Sequence, residues 1–120
     1  MSHWSDDTQN LLDQHYQALY RILQNYCEIF NCQQGGTTSK VIVSNDQTRY
    51  LVIDEGWIDD RRIHALIFDA EIRSNKIWLH HDGLDHGITD ELVAAGVLKD
   101  HIVLAFHPPH VRQHTGYAIA

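Results

Sequence analysis

Apolar residues return every three or four positions along the first part of the chain. Leu12, Tyr16, Leu19, Leu23, Tyr26 and Phe30 form the series, with Leu11, Tyr20 and Cys27 alongside. A single apolar stripe of this period predicts an amphipathic helix over Trp4–Phe30. Ser5 suits its N-cap, and Asp6 and Asp7 suit the positive end of the helix dipole. About 25 helical residues after that cap span roughly 37 Å, slightly more than the diameter of a domain this size. Either one end overhangs the body and meets another subunit, or the helix breaks near Asn25.

After a polar, glycine-containing loop at Gln33–Ser39 the period changes to two. Lys40–Ser44, Thr48–Gly56, Arg61–Ile72 and Lys76–His81 are runs rich in β-branched, aromatic and aliphatic residues. Short turns at Asn45-Asp46-Gln47, Ile58-Asp59-Asp60 and Arg73-Ser74-Asn75 separate them, which predicts an antiparallel meander. Asp82–Gly87 reads as a loop. A second helix runs from about Thr89 to Ala95, capped near Thr89 or Asp85 and stopped by Gly96. Ile102–Phe106 is a last apolar run, ended by Pro108 and Pro109, which remove two backbone donors. A helical turn starting at Pro109 places Arg112 and Thr115 on one face. The class is α+β: an antiparallel β-sheet meander with a long N-terminal helix packed on one face and a short C-terminal helix, in one domain spanning residues 1–120.

Charge narrows the partners. The formal net charge of −7 is uneven: residues 1–60 carry three Lys/Arg against nine Asp/Glu, and residues 61–120 six against seven. Such a chain is ill suited to grip nucleic acid by itself, because phosphate neutralisation needs a basic surface. A basic protein partner suits it better. Cys27 and Cys32 lack a second pair, so they read as reduced thiols with at least one packed. Without a signal sequence or an apolar run of membrane-spanning length, the expected location is cytoplasmic.

Ten histidines raise the question of metal. His80, His81 and His86 lie with Asp82 and Asp85 around one loop, and His110 and His114 are four apart, a spacing that can chelate zinc. His80 and His81 point to opposite faces of a regular strand and share no ion without a bulge. The sequence also lacks an H-E-x-x-H motif, a nucleophile elbow and a phosphate-cradling loop. No catalytic residue, metal ligand or cofactor is assigned. Arg61, Arg62 and Arg112 read as a clamp for an anion, or else Arg62 or Arg112 pairs with an internal carboxylate such as Asp54 or Asp69. Asp69 interrupts an apolar strand, so if buried it needs a charged or hydrogen-bonding partner, and Arg112 is the candidate.

Several segments in register carry a resemblance: Gly56-Trp57, Arg61-Arg62-Ile63-His64, Asn75-Lys76-Ile77-Trp78, Glu91-Leu92-Val93-Ala94-Ala95-Gly96-Val97, and Ile102–Pro109 followed by Arg112 and Thr115. From about Val41 to the C-terminus the chain resembles the XisI family, the fdxN element excision controlling factors found mostly in cyanobacteria. It departs from that pattern at Leu98, His110 and His81-Asp82. The resemblance implies a non-enzymatic accessory factor that binds an XisH-type, endonuclease-like protein and controls excision of a DNA element by a separate recombinase. It also fits an antitoxin-like member of a two-gene module. A small metal-dependent enzyme using the histidine-rich loops is the alternative from another class. The candidate partner contacts are Trp57, Arg62, Trp78, His107, Arg112, Thr115 and Tyr117, through a sheet edge or the C-terminal corner, and homo-oligomerisation stays open. For the aromatic members, core packing is an equal reading.

Overall fold

A computed structural model describes residues 6–33, 35–84 and 87–120, with side chains from residue 13 onward. The expected caps Ser5 and Asp85, together with Trp4 and His86, lie outside the described residues. Helix α1 runs unbroken over Asp6–Cys32, so Asn25 is no breakpoint. His15, Leu19, Leu23 and Cys27, each four residues after the last, form its buried row. Tyr16, Ile22 and Tyr26 flank that row and are partly buried against the same core.

The sheet has five strands in the order β1-β2-β3-β4-β5. They are β1 (Thr37–Val43), β2 (Arg49–Ile58), β3 (Arg61–Arg73), β4 (Lys76–Asp82) and β5 (Ile102–Leu104). The first four form the expected antiparallel meander. The apolar run after the second helix adds a strand of opposite sense, because β5 pairs parallel with β4 through Ile77↔Ile102 and Leu79↔Leu104. A parallel neighbour requires a crossover. Helix α2 (Thr89–Ala94) and a 3₁₀ turn at Lys99–His101 supply it.

Strand β1 begins at Thr37, inside the segment expected to be a loop. The reason is local and polar. Ser39 is buried against α1, its N–H donates to Asn31 Oδ1 at 2.8 Å, and its carbonyl accepts from Asn31 Nδ2 at 2.9 Å. Its hydroxyl donates to Asp54 at 2.7 Å. A polar residue packs inside a domain when its groups are bonded in this way. The strand's start also depends on two glycines. A Cβ at Gly36 would lie 1.7 Å from the Trp57 carbonyl oxygen, and one at Gly56 (φ +148°) 2.1 Å from the Gly36 carbonyl oxygen.

Tyr50, Val52, Phe68, Ala70, Ile72, Ile77 and Leu79 face α1 from the sheet, and Ile88, Leu92 and Val97 close the core beside it. Thr89, one of the two expected caps, is instead the first residue of α2. Its N-cap is Ile88, without a side-chain cap bond. Asp82 holds the preceding loop instead, accepting the Leu84 N–H at 3.2 Å and the Ile88 N–H at 2.9 Å. Gly96 stops the helix as expected, at φ +102°, with Gly96 N–H bonded to Val93 and Val97 N–H to Leu92. That double bond is the Schellman arrangement, which needs a left-handed residue at the stop. The final helical turn, α3, is Pro109–Arg112 with Pro108 as its N-cap. The tail then returns to β5, where the Ala118 N–H donates to Ile102 O at 2.9 Å and Ala118 bridges Val103. One sheet edge is therefore covered by the chain's own end, while among the described residues β1 pairs only with β2.

Candidate interaction surface

Five of the seven candidate contacts meet in the C-terminal corner. Trp78 projects from β4, its ring 3.8 Å from the Arg73 guanidinium carbon and 5.8 Å from that of Arg112. Its indole N–H donates to the Arg73 carbonyl at 3.1 Å. Arg112 links both ends of the terminal segment: Nε donates to His107 O at 2.8 Å and Nη1 to Ile119 O at 3.1 Å. Thr115 donates its hydroxyl to Arg112 O at 2.8 Å and accepts the Tyr117 N–H at 3.2 Å. The Tyr117 ring lies 5.8 Å from Lys99 Nζ, and Lys76 Nζ bonds the carbonyl of Ala120. His107 lends the corner its carbonyl, while its ring packs on Phe106 at 4.6 Å. Arg112 and Thr115 thus build the corner, and Trp78 is its stacked floor.

The other two candidates stand together elsewhere. Trp57 and Arg62 are cross-strand partners near the β2–β3 turn. The guanidinium lies 5.7 Å from the Trp57 ring centroid, and Arg62 also approaches Glu55 at 3.6 Å and Gly56 O at 3.3 Å. Eleven steps of β3 separate Arg62 from Arg73, about 36 Å of extended chain. The seven residues are therefore two sites. Trp57 is 55% exposed, the most accessible tryptophan among the described residues.

The expected Asp69–Arg112 pair does not form. Asp69 receives a two-pronged contact from Arg49, with Nε to Oδ1 at 2.6 Å and Nη2 to Oδ2 at 2.9 Å. Leu51 opposes Asp69 in the β2–β3 register, which sets Arg49 diagonally beside it on the outer face. That bond, supported by Glu71 at 3.9 Å, holds the Arg49 pKa above its ordinary value. Neither Arg62 nor Arg112 meets Asp54, whose bond is with Ser39.

Strand β4 persists through His80 and His81, and a register shift between Asp69 and Ala70 supplies the irregularity that a regular strand lacks. His80 is committed to Glu71 at 2.9 Å. Among the described residues no three His, Cys, Asp or Glu side chains gather as a metal site. Cys27 and Cys32 are free thiols, the first buried with its Sγ 3.6 Å from the Ser39 hydroxyl and its pKa raised by burial.

The sequence pattern missed one polar feature altogether. His15 is fully buried on α1 and meets His101 edge to face at 5.3 Å between ring centroids. Burial, with the nearby His101 adding to it, pushes the His15 pKa down to about 4. The only sequence signal is the four-residue spacing that places His15 in the row of Leu19, Leu23 and Cys27.

Among the described residues no helix is long and apolar enough to cross a membrane. No curated protein matches the chain. Two crystal structures of proteins from Anabaena variabilis ATCC 29413 share its fold. The fdxN element excision controlling factor XisI superposes with a TM-score of 0.77 at 28% identity, covering 92% of this chain and 99% of that one. A XisI-like protein superposes with a TM-score of 0.81 at 28% identity, covering 91% and 99%. The family model for XisI protein matches residues 9–119. This chain belongs to the XisI family.

Proposed function

We propose that the chain is a non-enzymatic controlling factor for excision of a DNA element of the fdxN type, acting by binding an XisH-type, endonuclease-like protein. The observation that carries this reading is the family match over residues 9–119, together with a relative that is itself an fdxN element excision controlling factor. Charge supports action through a protein rather than through DNA. The chain carries −7, and Arg49, Arg62, Arg73 and Lys40 are engaged with Asp69, Glu55 or Glu71. Cations committed to neighbouring carboxylates release few counterions from a phosphate backbone. In this reading Trp57 with Arg62 and the tail at Tyr117 meet the partner, while Trp78, His107, Arg112 and Thr115 shape the corner that presents the tail.

The test is co-expression with the XisH-type genomic neighbour, followed by size-exclusion chromatography with light scattering. The expected result is a stable stoichiometric complex, with the isolated chain failing to retain duplex DNA at physiological salt. Clean separation of the two proteins at micromolar concentration would remove the proposal.

A further inference from the structure

A helix is about 10 Å wide, whereas five strands span about 19 Å. One helix therefore leaves part of the sheet face uncovered. Helix α2 packs beside the N-terminal half of α1, where Gln14 Nε2 donates to Gly96 O at 3.2 Å. Beside the C-terminal half an open trough of about 540 Å³ remains. Ile22, Tyr26, Ile29 and Phe30 line one side of it, and Ile67 and Asp54 belong to the sheet beneath. From Ile22 to Gln33 it follows α1 for about 16 Å, three helical turns.

Its chemistry is selective. The Tyr26 and Phe30 rings stack at 6.3 Å, and Ile29 between them in sequence is 57% exposed. One exposed apolar residue is ordinary, but Ile29 stands beside half-buried Ile22, Tyr26, Phe30 and Ile67 in one continuous apolar lining, which is how binding grooves are built. Among the described residues, Asp54 and Glu91 are the charged ones in the lining, both acidic, and none of the nine Lys/Arg contributes to it. The Asp54 carboxylate is fixed in place by the Ser39 hydroxyl at 2.7 Å. A second copy of this acidic chain is a poor occupant on charge grounds.

We infer that this trough is the docking groove for an amphipathic, cationic helix of a partner protein, with apolar side chains against Tyr26, Ile29 and Phe30 and Lys or Arg reaching Asp54 and Glu91. Such a helix completes the layer that α1 and α2 leave open, a recurring mode of helix-in-groove recognition. The identity of the partner rests on the accessory reading above; the groove and its chemistry do not.

The experiment compares the wild type with Ile29→Lys and Ile42→Lys. Both add one positive charge at an exposed isoleucine, the first in the groove and the second on β1 between Val41 and Val43, which pack on the core, so that Ile42 faces the other side of the sheet. Each variant is first matched to the wild type in melting temperature. Two probes are titrated: the XisH-type neighbour, and a synthetic helix of about 14 residues with leucines on one face and lysines on the other, against its glutamate counterpart. Ile29→Lys is expected to weaken the partner complex and the lysine helix by about tenfold or more, with Ile42→Lys within about twofold. The glutamate helix is expected not to bind. Equal effects of the two variants, or equal binding of the two helices, would overturn the groove. A partner complex insensitive to Ile29→Lys would overturn the groove and leave the accessory function standing. If the neighbour does not bind the wild type, the accessory function falls and the synthetic helices alone decide the groove.

Discussion

His15 of α1 and His101 of the 3₁₀ turn meet edge to face at 5.3 Å, joining the long helix to the segment that leads into β5. The contact is compatible with a neutral His15, whose pKa is pushed down to about 4 mainly by burial. An unfolded histidine titrates near 6.5, so between those values the unfolded chain binds more protons. Stability is then complete above pH 6.5 and falls as pH drops toward 4. The loss expected at pH 4.5 relative to pH 7.5 from this group is about 2–3 kcal/mol. Urea unfolding at the two pH values, in the wild type and in His15→Leu, isolates it from carboxylate titration. The variant is expected to lose that much of the pH dependence, and an unchanged difference would remove the assignment.

Arg49 and Asp69 form the best-defined ion pair of the outer sheet face, with Asp69 largely shielded and Arg49 partly exposed. Because the guanidinium side is wet, the coupling is expected to be modest, about 1 kcal/mol in a double-mutant cycle of Arg49→Ala and Asp69→Ala. The cycle of Asp69→Ala with Arg112→Ala is expected to be additive within about 0.5 kcal/mol. Unfolding free energies of the two cycles check this directly. Coupling in the second cycle as large as in the first would contradict the geometry.

What could be read from the chain follows from the range of the interactions involved. The helix, the four meander strands, the Gly96 stop and the Pro109 start each depend on neighbours within a few residues, and periodicity or turn chemistry exposes them. The parallel placement of β5 depends on how α2 packs, and a three-residue strand has no period of its own. The Asp69 partner was misplaced for a related reason. Arg112 is chemically eligible, as any arginine is, and only the β2–β3 register, set by pairings such as Leu51↔Asp69, selects Arg49, which no local pattern points to. His15 escaped notice because a histidine inside an apolar row does not announce its burial. The groove beside α1 is a gap between elements, and no local sequence pattern records a gap.

Arg112 is expected to act as the fastener of the C-terminal segment. Replacing it with alanine removes donors to two carbonyls, His107 O and Ile119 O, and the contact with Trp78. The expected cost is about 1–2 kcal/mol. The local signature is more specific than the global one. Amide exchange at Ala118, whose N–H is bonded to Ile102 O, should accelerate far more than exchange in α1. Arg112→Lys keeps the charge but not the forked geometry and is expected to restore little. Protection at Ala118 retained in Arg112→Ala would mean that the bridge to Val103 holds the tail without it.

Gly36 and Gly56 set the opening of the β1–β2 pair, and their substitution gives the sharpest steric prediction. At Gly36 an added Cβ falls 1.7 Å from a carbonyl oxygen of the neighbouring backbone, where no side-chain rotation can relieve it. At Gly56 the clash at 2.1 Å is compounded by a φ of +148°, a region that residues with a Cβ rarely adopt. Gly35, with nothing within 4 Å of its added Cβ, is the internal control. Gly36→Ala and Gly56→Ala are each expected to cost about 3 kcal/mol or more by forcing the strands apart, whereas Gly35→Ala stays within about 0.5 kcal/mol. The bond from Trp57 N–H to Gly36 O, 2.9 Å in the native chain, is the first that must lengthen. Trp57 sits immediately beyond it, so its fluorescence should report the separation before global unfolding. Native-like Trp57 emission and stability in Gly36→Ala would show that the two strands do not require this close approach.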